Sequence, residues 1–89
     1  MKFISVGYTN VVNADRIVTV VAANSAPAKR MVQEAKDVSR CIDATSGRKT
    51  KSVIIMDSDH VVLSALQVNT IKQRLISEDD RDIEEEDDE

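Results

Sequence analysis

Two apolar runs, KSVIIM and HVVLSAL, stand three residues apart with DSD between them and fill residues 51–66. Runs this rich in Val and Ile favour strands, and the short polar gap suggests that they pair as a hairpin. Asp suits such a gap because its carboxylate satisfies nearby backbone N–H groups.

The other segments can be read around this pair. KFISVG places Phe3 and Ser5 on one face and Ile4 and Val6 on the other, and it reads as a first strand that stops at Gly7. YTNVVNADR contains two Asn and an Asp, so a turn or helical turn is expected there. RIVTVVAA is β-branched almost throughout and reads as a central strand. NSAPAKRMVQEAKDVSR carries a helix: Ser25 caps it and Pro27 falls in the first turn, where a missing N–H costs nothing. Ala28, Met31, Val32, Ala35 and Val38 recur at helical spacing as its buried face, and Arg40 suits the negative end of the dipole. CIDAT is a short strand and SGRKT the loop that leaves it. NTIKQRLI makes a last helix, with Asn69 or Thr70 as cap and Ile71, Leu75 and Ile76 inward. The predicted fold is α+β, a small, mostly antiparallel sheet with two helices in the order β-β-α-β-β-β-α.

At 89 residues this is one small domain, of a size that buries only about 60% of its unfolded surface. Phe3 and Tyr8 are the only aromatics, so the core is thin, and association of subunits is the simplest added support. Cys41 stands alone, which excludes an intrachain disulfide and fits a reducing cytoplasm. No run is long enough to span a membrane, and no signal-peptide pattern opens the chain. With one His and one Cys, a structural zinc site would need unusual carboxylate ligands; no metal and no cofactor is expected.

The formal charge of −4 conceals a division. From Ser77 onward the chain reads SEDDRDIEEEDDE, ten acids against Arg81, a net of −9. Residues 1–76 hold eleven Lys plus Arg against six Asp plus Glu, a net of +5. The boundary is drawn there: a basic domain over 1–76 and, over 77–89, an acidic tail expected to be disordered. A basic domain raises the expectation of a polyanionic partner.

Asp57, Asp59 and His60 are the strongest hint of an enzyme or metal site, but Asp-Ser-Asp is also what a turn between two strands needs. The chain offers no second His or paired nucleophile to complete a site, so neither an enzyme nor a small-molecule substrate is expected. SGRKT lacks the second Gly and the following helix of a Walker loop, which rejects nucleotide hydrolysis. Two readings of Arg48, Lys49 and Lys51 stay open: a grip on backbone phosphate, or a solvated loop. Alternation places Lys49 and Lys51 on one side with Thr50 opposite. Arg16, at the mouth of an apolar strand, either reaches out as a second contact point or pairs with Asp15. Lys29, Lys36 and Arg40 share a helix stripe that reads as a solvated face. With no aromatic expected near these cations, contact is predicted with duplex phosphates rather than stacked single-strand bases. A few cations per subunit bind weakly, so repeated copies in an oligomer are needed.

KFISVGYTN, ADRIVTVVAANSAPAKRMVQEAK, DATSGRKTKSVIIMDSDHVVLSAL and TIKQRL together resemble RemA, the extracellular matrix regulatory protein A family of bacteria, from about Lys2 to Leu75. The resemblance implies a LytTR-like DNA-binding fold whose subunits close into rings. It also implies a cytoplasmic, nucleoid-associated regulator of biofilm-matrix and osmoprotection genes, with promoter DNA wrapped around the ring. It assigns DNA contact to Arg16 and Arg48. Lys49 sits where the family commonly has a second loop arginine, and lysine keeps that charge without the bidentate fork. Lys51 is a further candidate from the loop itself. A different class of function, a structural module whose basic edge binds a protein or RNA, remains open beside it.

Overall fold

The computed structural model describes residues 2–77. The expected disorder of the acidic tail therefore lies outside the described residues.

The α+β expectation holds, and the apolar hairpin lies at its centre. Strands β5 (Ser52–Met56) and β6 (Val61–Ser64) pair antiparallel, with Val53 opposite Leu63 and Ile54 opposite Val62. Both are buried on both faces, which is why they read as continuous apolar runs. β3 (Ile17–Ala22) joins β5 antiparallel and β4 (Cys41–Asp43) joins β6 parallel, giving the order β3-β5-β6-β4. The expected central strand over residues 17–22 is thus an edge. Its composition matches a buried strand, but its outer side is unpaired and Val18 is 64% exposed.

Residues 10–13, expected as a turn, form a further strand. β1 (Phe3–Gly7) and β2 (Asn10–Asn13) make a separate antiparallel hairpin, and one 3₁₀ turn over Ala14–Arg16 leads into β3. Tyr8 and Thr9, at its tip, both have positive φ (53° and 70°), the signature of the tight turn that matches strand twist. Gly7 at φ 106° precedes them, and a Cβ there would stand 3.3 Å from Leu66 Cγ.

Helices cover the sheet on opposite sides. One apolar cluster joins Ile4 and Val6 of β1 to Ile54, Val62, Leu66 and Ile71, so the β1–β2 hairpin and α2 (Val68–Ile76) share a face. The other packs Ala28 and Ala35 of α1 (Ala26–Asp37) on Val53, Ile55, Val61 and Leu63. Ser25 caps α1 as expected, accepting from Ala28 N–H at 3.2 Å. Its end is a Schellman closure: Ser39 (φ 61°) bonds back to Lys36 and Arg40 N–H to Ala35 O at 2.8 Å. Val38, expected inside, lies beyond the last turn and is 61% exposed. Arg40 extends past the helix end, and its Nη1 donates to Ser58 O.

The last helix starts earlier than its polar residues suggested. Gln67 is its N-cap without a side-chain bond, so Asn69 and Thr70 lie inside the first turn. Ile71 is fully buried and Leu75 partly, but Ile76 is exposed. The inward place goes to Arg74, whose Nη1 donates to Ser5 O at 3.1 Å. At the end of the helix, Lys2 Nζ donates to the carbonyls of Leu75 and Ser77.

Candidate nucleic-acid interface

The loop between β4 and β5 is built from the chain's own turn chemistry. Asp43 Oδ1 accepts from both Thr45 N–H (2.9 Å) and Thr45 Oγ1 (2.6 Å). These two bonds, the side-chain one first, hold the Asp43 carboxyl below its usual range, with a smaller contribution from the Lys36 charge. Thr45 O then accepts from Arg48 N–H at 3.0 Å across Ser46 and Gly47, both at positive φ (54° and 84°). Such a turn favours Gly at its second central position, which explains the lone glycine of the segment.

Arg48 is held from two sides. Its Nη1 donates to Ser46 O at 3.3 Å, and its guanidinium carbon stands 4.2 Å over the centre of the Tyr8 ring. That stack corrects the expectation that no aromatic stands near the cations. Tyr8 is forty residues away in sequence and reaches Arg48 from the tip of the β1–β2 hairpin. Asn10 fixes this meeting: its Nδ2 donates to Gly7 O, Tyr8 O and Ala44 O, tying the hairpin tip to the root of the loop. Tyr8 and Asn10 are the residues of the site that sequence reasoning missed.

Lys49 and Lys51 follow on irregular backbone, since β5 begins only at Ser52. Lys49, Thr50 and Lys51 all line one cleft of about 370 Å³, together with Ala22–Asn24 and the first residues of α2. The backbone is nonetheless fixed, because Lys51 N–H donates to Ser64 O and Lys51 O accepts from Ala23 N–H.

Arg16 lies elsewhere. Pairing of Ile17 with Met56 and of Ala22 with Ser52 puts Arg16 at one end of β5 and the basic loop at the other. At about 3.3 Å per residue, the ends are roughly 17 Å apart. One subunit therefore does not bring Arg16, Arg48, Lys49 and Lys51 to a single point. Arg16 pairs with Asp57 at 3.4 Å rather than with Asp15, and the two side chains are 64% and 46% exposed. Asp57 N–H also donates to Arg16 O at 2.8 Å, so the central hairpin's turn is stitched to the start of β3.

The DSDH segment is a turn. Asp59 adopts φ 72°, its N–H donates to Met56 O, and Ser58 Oγ contacts His60 Nδ1 at 2.7 Å. Asp57 spends its carboxylate on Arg16 instead of on local N–H groups. Among the described residues no three His, Cys, Asp or Glu side chains gather as metal ligands, and no helix is long and apolar enough to cross a membrane.

This basic α+β domain corresponds to a class of bacterial regulators. The chain belongs to the RemA-like family, described as extracellular matrix regulatory protein A-like, whose pattern matches residues 3–75. Membership gives it a regulatory character. It is 54% identical over 80 residues to a candidate regulatory protein of Geobacillus kaustophilus, covering 90% of this chain and 92% of the relative. A similarly named protein of Halalkalibacterium halodurans is 55% identical over 80 residues, 90% and 92% of the two chains. One of Clostridium beijerinckii is 51% identical over 87 residues, 98% and 97%, an alignment that extends into the acidic tail.

Proposed function

We propose that this protein is a DNA-binding transcriptional regulator of the bacterial cytoplasm and nucleoid. In this reading it assembles into a ring-shaped homo-oligomer and binds or wraps duplex promoter DNA, at biofilm-matrix and osmoprotection genes, through phosphate contacts. Arg48 and Lys49 are the main contacts on the loop, Lys51 a supporting one, and Arg16 a second point at the far end of the sheet. The observation that carries this reading is Arg48: a guanidinium braced by an aromatic ring and a carbonyl, with no carboxylate partner among the described residues. Such a group is oriented in advance for phosphate and gives up no ion pair on binding.

Assembly is supported by the β3 edge, β-branched and free of Lys and Pro, on whose outer side no strand pairs. Assembly also answers the separation of the two basic points. Subunits joined head to tail bring the Arg16 end of one copy towards the loop of the next, making a continuous phosphate path. A gel-shift titration of duplex DNA across salt concentrations tests the reading. Binding should weaken steeply with salt and collapse for Arg48→Ala. Salt-independent binding, or a folded R48A protein with normal affinity, would exclude it.

The Tyr8–Arg48 stack favours one second reading. An aromatic ring beside a guanidinium is also a platform for unstacked bases, so single-stranded RNA or DNA is the rival partner. Competition separates the two: an excess of single strand displaces the duplex only if the second reading holds.

A further inference from the structure

A groove of about 540 Å³ runs along α1 at the loop end of the central sheet, where Val53 and Leu63 pair across β5 and β6. Three exposed cations border it: Lys29 and Lys36 from α1 and Lys49 from the loop. Among the described residues no carboxylate lines it, and none of the three lysines forms an ion pair. Asp43 is near enough for its carboxyl to feel the Lys36 charge, but its Oδ1 is committed to Thr45. The two acids of α1 do not line the groove. Glu34 lines the cleft beside Val38 with Asp59 and Arg40, and Asp37 accepts from Gln33 Nε2. The floor needs no partner of its own, because Val53 and Leu63 are already only 1% and 7% exposed. What the groove leaves uncommitted is its charge.

Lys29 and Lys36 are seven residues apart, two turns of one helix, so they stand on one stripe about 10 Å apart along the axis. Each strand of a duplex presents a phosphate about every 3.4 Å of its axis, so a backbone laid along α1 meets both lysines within about three steps. Lys49 marks a fork. It borders this groove on the α1 side and also the cleft at the start of α2. A phosphate chain leaving the loop therefore has two ways on. The α2 side adds one cation, Lys51, which is half-buried. The α1 side adds two, both exposed, on a capped helix packed to the sheet through Ala28 and Ala35. Attraction to a polyanion favours the side with more uncommitted charge.

We propose that duplex DNA, having met Arg48 and Lys49, runs over this flank of α1 with Lys29 and Lys36 on its phosphates. The inference rests on the proposed DNA binding and gives it a direction: the α1 face of the sheet, not the α2 face, is turned to the nucleic acid. Lysine suits that role, since a point charge on a flexible stem follows a backbone without reading sequence.

Salt-dependent duplex titrations of the full-length protein test the path. Lys29→Ala and Lys36→Ala place a strong helix former on an exposed face, so both should fold as the parent does. Each should bind about threefold more weakly at low salt, to the same extent on unrelated sequences. Each should also lower the slope of log K against log salt by about 0.9 for every contacting subunit. The double variant should lose about tenfold, and Lys29→Arg or Lys36→Arg should bind like the parent. Lys72→Ala makes the same charge change on the exposed side of α2 and should leave affinity and slope unchanged. Parental slopes for K29A and K36A, or an equal loss for K72A, would overturn the path while Arg48-dependent binding stood. A parent protein that bound no duplex would remove the functional reading and the path together.

Discussion

Arg16 and Arg48 are the same chemical group held in opposite ways. Arg16 faces a carboxylate: Asp57 lies 3.4 Å away, and any phosphate that takes the guanidinium must displace it. Arg48 faces a ring and a carbonyl, which orient it without neutralising it. Exposed ion pairs contribute only about 0–1 kcal/mol, so Asp57 restrains Arg16 weakly, but it offsets part of what a phosphate contact gains. The two ends of the sheet thus differ in how much of their charge is already committed. In the proposed DNA-binding mode the loop would be the stronger anchor and the β3 end the adjustable one.

The largest expected effect follows from removing the uncommitted charge. Arg48→Ala should weaken duplex binding by about tenfold or more, since a charge-assisted hydrogen bond is worth about 1.5–3 kcal/mol and, in the proposed assembly, the loss would repeat in every subunit. Its thermal melt should stay close to the parent's, because an exposed guanidinium stacked on a ring contributes only about 0.5–1 kcal/mol. Arg16→Ala should cost clearly less, and equal losses for the two variants would erase the distinction between the ends.

The bracing by Tyr8 can be separated from charge. Tyr8→Ala leaves every cation in place yet frees Arg48, and should lower affinity about threefold, whereas Tyr8→Phe keeps the ring and should bind normally. A Phe variant as weak as Ala would shift the role from the ring face to the hydroxyl. At the other end the sign reverses. Asp57→Asn releases Arg16 and should tighten binding about twofold to threefold at low salt, fading as salt screens the exposed pair. No gain for D57N would mean that Arg16 does not touch the DNA.

Much of this architecture was legible because its signals are local. Ser25, Pro27 and the helical recurrence of Ala28, Met31, Val32 and Ala35 lie within one stretch, and α1 forms there with the expected cap. The central hairpin was equally plain, with its Asp-Ser-Asp turn between two apolar runs. What failed to show depends on pairing between distant segments. β3 has the composition of a buried strand, and only the strand order reveals that nothing lies beyond it. β2 is four residues bounded by Asn, and it is a strand because β1 folds back onto it. Both arginine environments are non-local too: Tyr8 and Arg48 are forty residues apart, and Arg16 and Asp57 forty-one. No sequence pattern announces that Ser5 O receives its donor from Arg74.

The smallest effect concerns the loop's foundation. The Asp43 carboxyl is held below its ordinary value by its bonds to Thr45, so its stabilisation is present above the unfolded value and lost as pH falls through the folded one. Asp43→Asn should therefore melt slightly lower than the parent at neutral pH, and the difference should shrink and then vanish as acid protonates the Asp43 carboxylate. A difference that persists in acid would point to packing rather than to the ionised carboxylate.

If the proposed assembly runs through the open β3 edge, abundance becomes a variable of regulation. Sparse chains would then stay separate, each with its two basic points far apart and few phosphates within reach. As copies accumulated, assembly would align those points in series, and occupancy of DNA would climb more steeply than the number of chains. A cell that makes this protein slightly faster or degrades it slightly slower would cross from silence to response over a narrow range of copy number, with no ligand acting as the signal.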